Sequence, residues 1–158
     1  MEIEIGSLLT EKKLTISCAE SCTGGLLTDR LTNVAGSSAY VKGAVVAYAN
    51  ETKMNVLQVK EETLNNFGAV SRQTAQELAV NVRQILNTDI GVSITGIAGP
   101  GGGTPEKPLG TVYIGISGPN GDRIQKFNFK GTRTEIKEKA VEAALVLIQV
   151  YLTIEKSF

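Results

Sequence analysis

The chain contains no histidine and no tryptophan, and only two cysteines and four prolines in 158 residues. Each scarcity closes off a class of function. Without histidine, a nucleophilic hydroxyl or thiol has no imidazole to take its proton, so any base must be of another kind. Two cysteines without histidine partners are too few for a structural zinc site. Cys18 and Cys22 stand four residues apart, and a disulfide between them is not expected in a reducing compartment. There is also no excess charge: lysine plus arginine number 16, as do aspartate plus glutamate. The composition therefore carries no basic footprint for nucleic acid. No apolar run approaches the length of a membrane span. The opening residues Met1-Glu2-Ile3-Glu4-Ile5 lack the basic start and apolar core of a secretion signal. The expectation is a cytoplasmic protein with neither nucleic-acid nor membrane partners.

What the chain does have is 42% hydrophobic residues and 17 glycines. Its length suits one domain, large enough to bury most of its apolar surface. Segments 14–18, 90–94 and 112–116 alternate with period two and are expected to be strands. Segments 41–49 and 123–129 are weaker strands, rich in β-branched or aromatic residues. Helical spacing follows Ser71, a good N-cap, through Ala75, Leu78, Val82 and Ile85. Thr132 with Glu135 forms a capping box ahead of Ile136, Ala140, Ala144 and Tyr151. Residues 4–12 and the pattern Leu26, Leu27, Leu31, Val34 read as further helices. Gly118-Pro119-Asn120-Gly121-Asp122 is turn chemistry, so the last two strands should form an antiparallel hairpin. Interleaved strands and helices give a three-layer α/β/α domain with a central mixed sheet.

Three segments could carry chemistry. Ala19-Glu20-Ser21-Cys22-Thr23-Gly24-Gly25 lies between a strand and a helix. It reads as an elbow presenting Ser21, with Cys22 as the rival nucleophile, beside free N–H groups at a helix start. The second is Tyr48 with Lys53. Asn50 is the expected N-cap, which makes Lys53 the third helical residue, where partial positive charge disfavours a cation and lowers its pKa. A lysine that releases its proton readily could serve a serine nucleophile. A surface lysine beside a half-buried tyrosine is the other reading. The third is the run 96–104, which holds five of the glycines and follows a strand. It is either a ligand loop or a plain connection, since it matches neither the Walker loop nor the dinucleotide fingerprint. Arg133, at the first position of the last helix, either holds an anion with that helix end or is solvated at the surface.

Taken together, these segments resemble the C-terminal domain of the competence/damage-inducible protein CinA, the nicotinamide-nucleotide amidase (PncC) family. The resemblance rests on the 19–25 segment, Gly36-Ser37-Ser38, Tyr48-x-Asn50-x-x-Lys53 and Gly68-Ala69-Val70-Ser71. Thr95-Gly96-Ile97-Ala98-Gly99-Pro100-x-Gly102-Gly103 and Lys107-Pro108-x-Gly110 complete it. It implies hydrolysis of the carboxamide of nicotinamide mononucleotide to nicotinate mononucleotide and ammonia, without metal or cofactor. It also implies a Ser-Lys-Tyr mechanism carried by Ser21, Lys53 and Tyr48. Amides around Thr23 and Gly24 would then stabilise the oxyanion. Asn50, Thr95, Gly96, Gly102, Gly103 and Arg133 would bind the substrate, Arg133 at its phosphate. The alternative is a non-catalytic nucleotide-binding or protein-interaction module linked to competence or DNA damage. Small α/β enzymes often assemble symmetrically, so a homo-oligomer is expected.

Overall fold

A computed structural model of the protein describes residues 1–154. Five strands form one sheet in the order β2-β1-β3-β4-β5. They are β1 (Ile16–Glu20), β2 (Val41–Val46), β3 (Ile90–Gly96), β4 (Thr111–Gly118) and β5 (Gly121–Asn128). β1 runs parallel to β2 and β3, while β4 is antiparallel to both β3 and β5. The sheet is thus mixed, as its spacing predicts. Gly118 pairs with Gly121, which closes the expected hairpin. Six α-helices lie among the described residues: α1 (Glu2–Lys12), α2 (Leu26–Thr32), α3 (Asn50–Asn55), α4 (Glu61–Phe67), α5 (Arg72–Ile85) and α6 (Arg133–Thr153).

The two faces of the sheet are built differently. On one, Ile16, Cys18, Ile90, Val92, Ile94, Val112, Ile114 and Ile116 pack under α1, α2 and α6 in a large apolar core. The opposite face carries small residues where α5 crosses it. A Cβ on Gly91 would stand 2.1 Å from the carbonyl of Ala79, and one on Gly115 would stand 2.9 Å from that of Ala75. Ser93 donates to the same Ala75 carbonyl at 2.6 Å. These small residues let α5 lie directly on the sheet, and interiors packed to crystal-like density have no room for larger ones. Alternation along the strands therefore separates large from small, not only apolar from polar.

Both expected caps are present. Ser71 Oγ accepts from the Thr74 amide, and Thr132 with Glu135 forms the reciprocal capping box of α6. Most element boundaries shift by one or two residues from the sequence reading, and three of the shifts have identifiable causes or consequences near the site. β1 starts two residues late, because Leu14 N–H closes α1 onto Leu9 O and Thr15 is held by Asp89. β2 ends at Val46, short of residue 49. The N-cap of α3 is Ala49, not Asn50, so the amide of Lys53 already donates to Ala49 O at 3.1 Å.

Candidate active site

The carboxyl ends of the three neighbouring strands β1, β2 and β3 form the floor of a pocket of about 290 Å³. This is where ligands gather in sheets of parallel strands. β1 delivers Ser21, the residues after β2 deliver Tyr48 and Lys53, and β3 delivers Thr95 and Gly96. A larger groove of about 560 Å³ lies between β5 and the end of α6, but it holds no nucleophile paired with a base.

Ser21 follows the last residue of β1. Its amide extends the sheet by donating to Ile94 O at 2.9 Å. The chain then turns sharply through Gly24 and Gly25, both at positive φ, into α2. Only glycine accepts such backbone at low cost. Ser21 is thereby left at the pocket floor, 8% exposed.

Lys53 meets it there. Its Nζ lies 3.1 Å from Ser21 Oγ and also donates to the carbonyls of Ala47, at 2.9 Å, and Tyr48, at 3.2 Å. The side chain is 1% exposed. Burial holds its pKa below the ordinary lysine range, and among the described residues no carboxylate stands by to keep it charged. The direction is the one the sequence suggests, but the cause is different. Lys53 sits one residue deeper in α3 than expected, so removal from water replaces the helix terminus as the main influence.

Tyr48 enters the site through its carbonyl rather than its ring. The ring is 60% exposed, and its hydroxyl accepts from Arg133 Nη2 at 2.6 Å. Arg133 Nη1 donates to Gly99 O, also at 2.6 Å. Tyr48 and Arg133 thus join the far side of the pocket mouth to the glycine loop. Asn50 and Gly102 line the same pocket.

Other expected site residues have structural partners. Gly24 N–H is committed to Ser21 O at 3.1 Å, which removes it as an oxyanion donor. Among the described residues, the amides of Cys22 and Thr23 make no hydrogen bond to another residue. Thr23 itself is buried, and its hydroxyl donates to Glu20. Thr95 Oγ1 braces the 68–71 loop by donating to Ala69 O at 2.8 Å. Gly96 is required by close packing on β4, where a Cβ would meet Val112 Cγ2 at 2.7 Å. Gly103 packs on the backbone of Leu109, 2.8 Å from where its Cβ would lie, and does not line the pocket. Burial pushes the Cys22 thiol up to about 11, which leaves it a poor nucleophile at neutral pH.

Two residues escape the sequence reading. Lys137, one turn beyond Arg133 on α6, brings its Nζ to 3.8 Å from where a Cβ on Gly24 would lie. Glu20 is 1% exposed, and its carboxylate gathers four hydrogen bonds from the elbow and α2. The only local hint is that Gly25, as N-cap of α2, has no side chain to cap it. Among the described residues, no group of three or more histidine, cysteine, aspartate or glutamate side chains could hold a metal ion. No helix among them is long and apolar enough to cross a membrane.

The fold and site define a class: an α/β protein with a mixed sheet and a buried serine–lysine pair at the ends of its parallel strands. More particularly, the chain belongs to the CinA C-terminal domain family, whose model matches residues 1–152. It is 50% identical over 153 residues to a CinA-like protein of Endomicrobium trichonymphae, covering 97% of this chain and 36% of that one. A CinA-like protein of a Sulfurihydrogenibium species is 47% identical over 152 residues, covering 96% and 38%. The chain thus spans little more than a third of the length of these relatives. Solved structures match it end to end. The competence/damage inducible protein CihA from Agrobacterium tumefaciens superposes with a TM-score of 0.88 at 41% identity, covering 96% of each chain. The competence damage-inducible protein A from Klebsiella pneumoniae gives 0.94 at 32% identity, covering 98% of this chain and 96% of that one.

Proposed function

We propose that this protein hydrolyses the carboxamide of nicotinamide mononucleotide to nicotinate mononucleotide and ammonia through an acyl-enzyme on Ser21. The observation that carries the reading is the direct approach of Lys53 Nζ to Ser21 Oγ inside a buried pocket. A neutral lysine has two N–H bonds and one lone pair. The Ala47 and Tyr48 carbonyls are placed to accept the two N–H bonds, which leaves the lone pair to take a proton from Ser21. Burial favours this neutral form. The pair therefore supplies the base that a chain without histidine otherwise lacks.

In the first step Ser21 Oγ bonds to the carboxamide carbon and its proton passes to Lys53. The amides of Cys22 and Thr23 stand on the elbow to receive the developing oxyanion, and one such donor is typically worth about 100- to 1000-fold in rate. The C–N bond then breaks, and ammonia leaves with the proton from Lys53. Water attacks the resulting ester, again giving its proton to Lys53, which returns it to Ser21 as the acid departs. Because Lys53 touches Ser21 directly, no relay through Tyr48 is needed. Tyr48 is assigned with Arg133 to the substrate instead. Arg133 is the cation facing the pocket mouth, and it suits a phosphate.

The reading is tested by ammonia release from purified protein with nicotinamide mononucleotide, with free nicotinamide as control. Turnover of the nucleotide and not of the free base is expected. Tight binding without ammonia would leave a nucleotide-binding module in its place.

A further inference from the structure

Glu20 is not one of the reacting groups, yet it contacts both the elbow that carries the nucleophile and an anchor of the base. Its Oε1 accepts from Thr23 Oγ1 at 2.7 Å and from Leu27 N at 2.9 Å. Its Oε2 accepts from Thr28 N at 3.0 Å and from Thr28 Oγ1 at 2.7 Å. Leu27 and Thr28 are the second and third residues of α2, whose first amides have no partner within the helix. A side-chain cap normally takes such amides, but Gly25 has no side chain. Glu20 does so from seven and eight residues upstream, at the end of the strand that leads into Ser21.

The backbone of the same residue faces the base. Glu20 O accepts from Ala47 N at 2.8 Å, and Ala47 O in turn accepts from Lys53 Nζ at 2.9 Å. Glu20 thus grips the elbow with its side chain and the lysine's anchor with its main chain. Nucleophile and base come from segments 32 residues apart in sequence, and Glu20 is the residue that ties both to one point. Its carboxylate also occupies the positive pole of α2. That pole is then closed to any oxyanion, and the Cys22 and Thr23 amides are left for it.

We propose that Glu20 is the positioning residue of this centre, with Thr23 as its link to the elbow. The role rests on the Ser21–Lys53 reading given above. A carboxylate fits because each of its oxygens faces a backbone amide, which can only donate, and a threonine hydroxyl that donates beside it. Glutamine would set its NH₂ group against one backbone amide, that of Leu27 or Thr28, even if the hydroxyl beside it turned to accept, and a buried amide left unpaired in this way is costly. Aspartate is one methylene too short to reach the same four.

The test compares Thr23→Val, which keeps the shape and loses the donor, with Thr23→Ser, which keeps the donor, and with Glu20→Gln. Two readouts are taken: steady-state hydrolysis of nicotinamide mononucleotide, and the rate at which a fluorophosphonate modifies Ser21. A slightly misplaced nucleophile typically costs about 10- to 100-fold, so Thr23→Val should lower both kcat and the labelling rate by that much with KM nearly unchanged. Thr23→Ser should restore both, and Glu20→Gln should lose at least as much as Thr23→Val if it folds. A folded Thr23→Val protein with wild-type kcat and labelling overturns the proposal. So does one that changes KM alone, since that would mark a substrate contact. The wild-type protein separates the two claims. If it neither labels at Ser21 nor releases ammonia, the nucleophile reading fails and takes the positioning role with it. If it does both while Thr23→Val matches it, only the positioning role fails.

Discussion

Lys53 Nζ stands 3.1 Å from Ser21 Oγ, and its other two hydrogen bonds go to main-chain carbonyls rather than to a carboxylate. A lysine held by an acid would be kept charged. One held by neutral dipoles in a buried site is free to lose its proton, because desolvation weighs against the ammonium. That difference separates a proton acceptor from a structural ion pair.

Removing the amine should therefore remove the base. Lys53→Ala is expected to lower kcat for nicotinamide mononucleotide by about 100- to 10,000-fold, the usual worth of a general base. Lys53→Arg should be no better, since a guanidinium does not deprotonate in proteins. Steady-state ammonia release measures both. Appreciable activity in Lys53→Arg would mean that positive charge, not proton transfer, is what the position supplies.

The pH dependence follows from the same group. The reaction needs Lys53 neutral, so kcat/KM should climb with pH through its free-enzyme pKa, and that limb should lie below the ordinary value of 10.5. Stability should respond in the same range. Between the lowered folded pKa and 10.5 the unfolded chain binds more protons than the folded one, so stability rises with pH across that window. Urea unfolding of Lys53→Met against wild type should thus show an advantage for methionine near neutrality that shrinks toward pH 10.5. An advantage independent of pH would contradict the lowered pKa.

Cys22 adjoins the nucleophile and lines the pocket, yet its buried thiol is held at about 11. Cys22→Ala should keep kcat within about threefold of wild type, because the side chain takes no part in the proposed transition state. Iodoacetamide should modify the native protein slowly at neutral pH, where little thiolate exists. Rapid alkylation with parallel loss of activity would instead point to the thiol.

Arg133 and Tyr48 meet at the pocket mouth, 85 residues apart in sequence and 2.6 Å apart in space. If the guanidinium holds the phosphate, Arg133→Ala should raise KM for nicotinamide mononucleotide by about 10- to 100-fold, the worth of a charge-assisted contact. The riboside, which has no phosphate, should be affected much less. Tyr48→Phe removes one partner of Arg133 and should shift KM more than kcat. A Tyr48→Phe protein that loses kcat instead would restore the tyrosine to the proton path.

The strands, the hairpin and both helix caps were legible in the sequence because each depends on local chemistry. Period-two alternation, the Gly-Pro-Asn-Gly turn and the Ser71 and Thr132 hydroxyls act over a few residues. α4 was not, since Glu61–Phe67 is only seven residues long and its N-cap, Lys60, makes no side-chain cap bond. At the site, Ser21 stood out through the elbow and Lys53 through its odd placement near a helix start. The direction of the Lys53 shift is legible there but its cause is not, because an N-cap shifted by one residue moves it off the helix end and burial takes over. Glu20 was hidden altogether. A charged residue closing a strand reads as solvated until the fold brings a helix start back onto it. Gly96 lines the pocket and is also fixed by close packing on β4, whereas Gly103 packs on Leu109 outside the lining, a distinction the glycine run alone does not carry.

The central claim is that Ser21 carries the reaction. The most direct measurement is ammonia release from nicotinamide mononucleotide by Ser21→Ala beside wild type and Cys22→Ala. The account predicts that Cys22→Ala turns over near the wild-type rate. It predicts that Ser21→Ala falls by about three orders of magnitude or more, as nucleophile deletions do. Wild-type turnover by Ser21→Ala would contradict it.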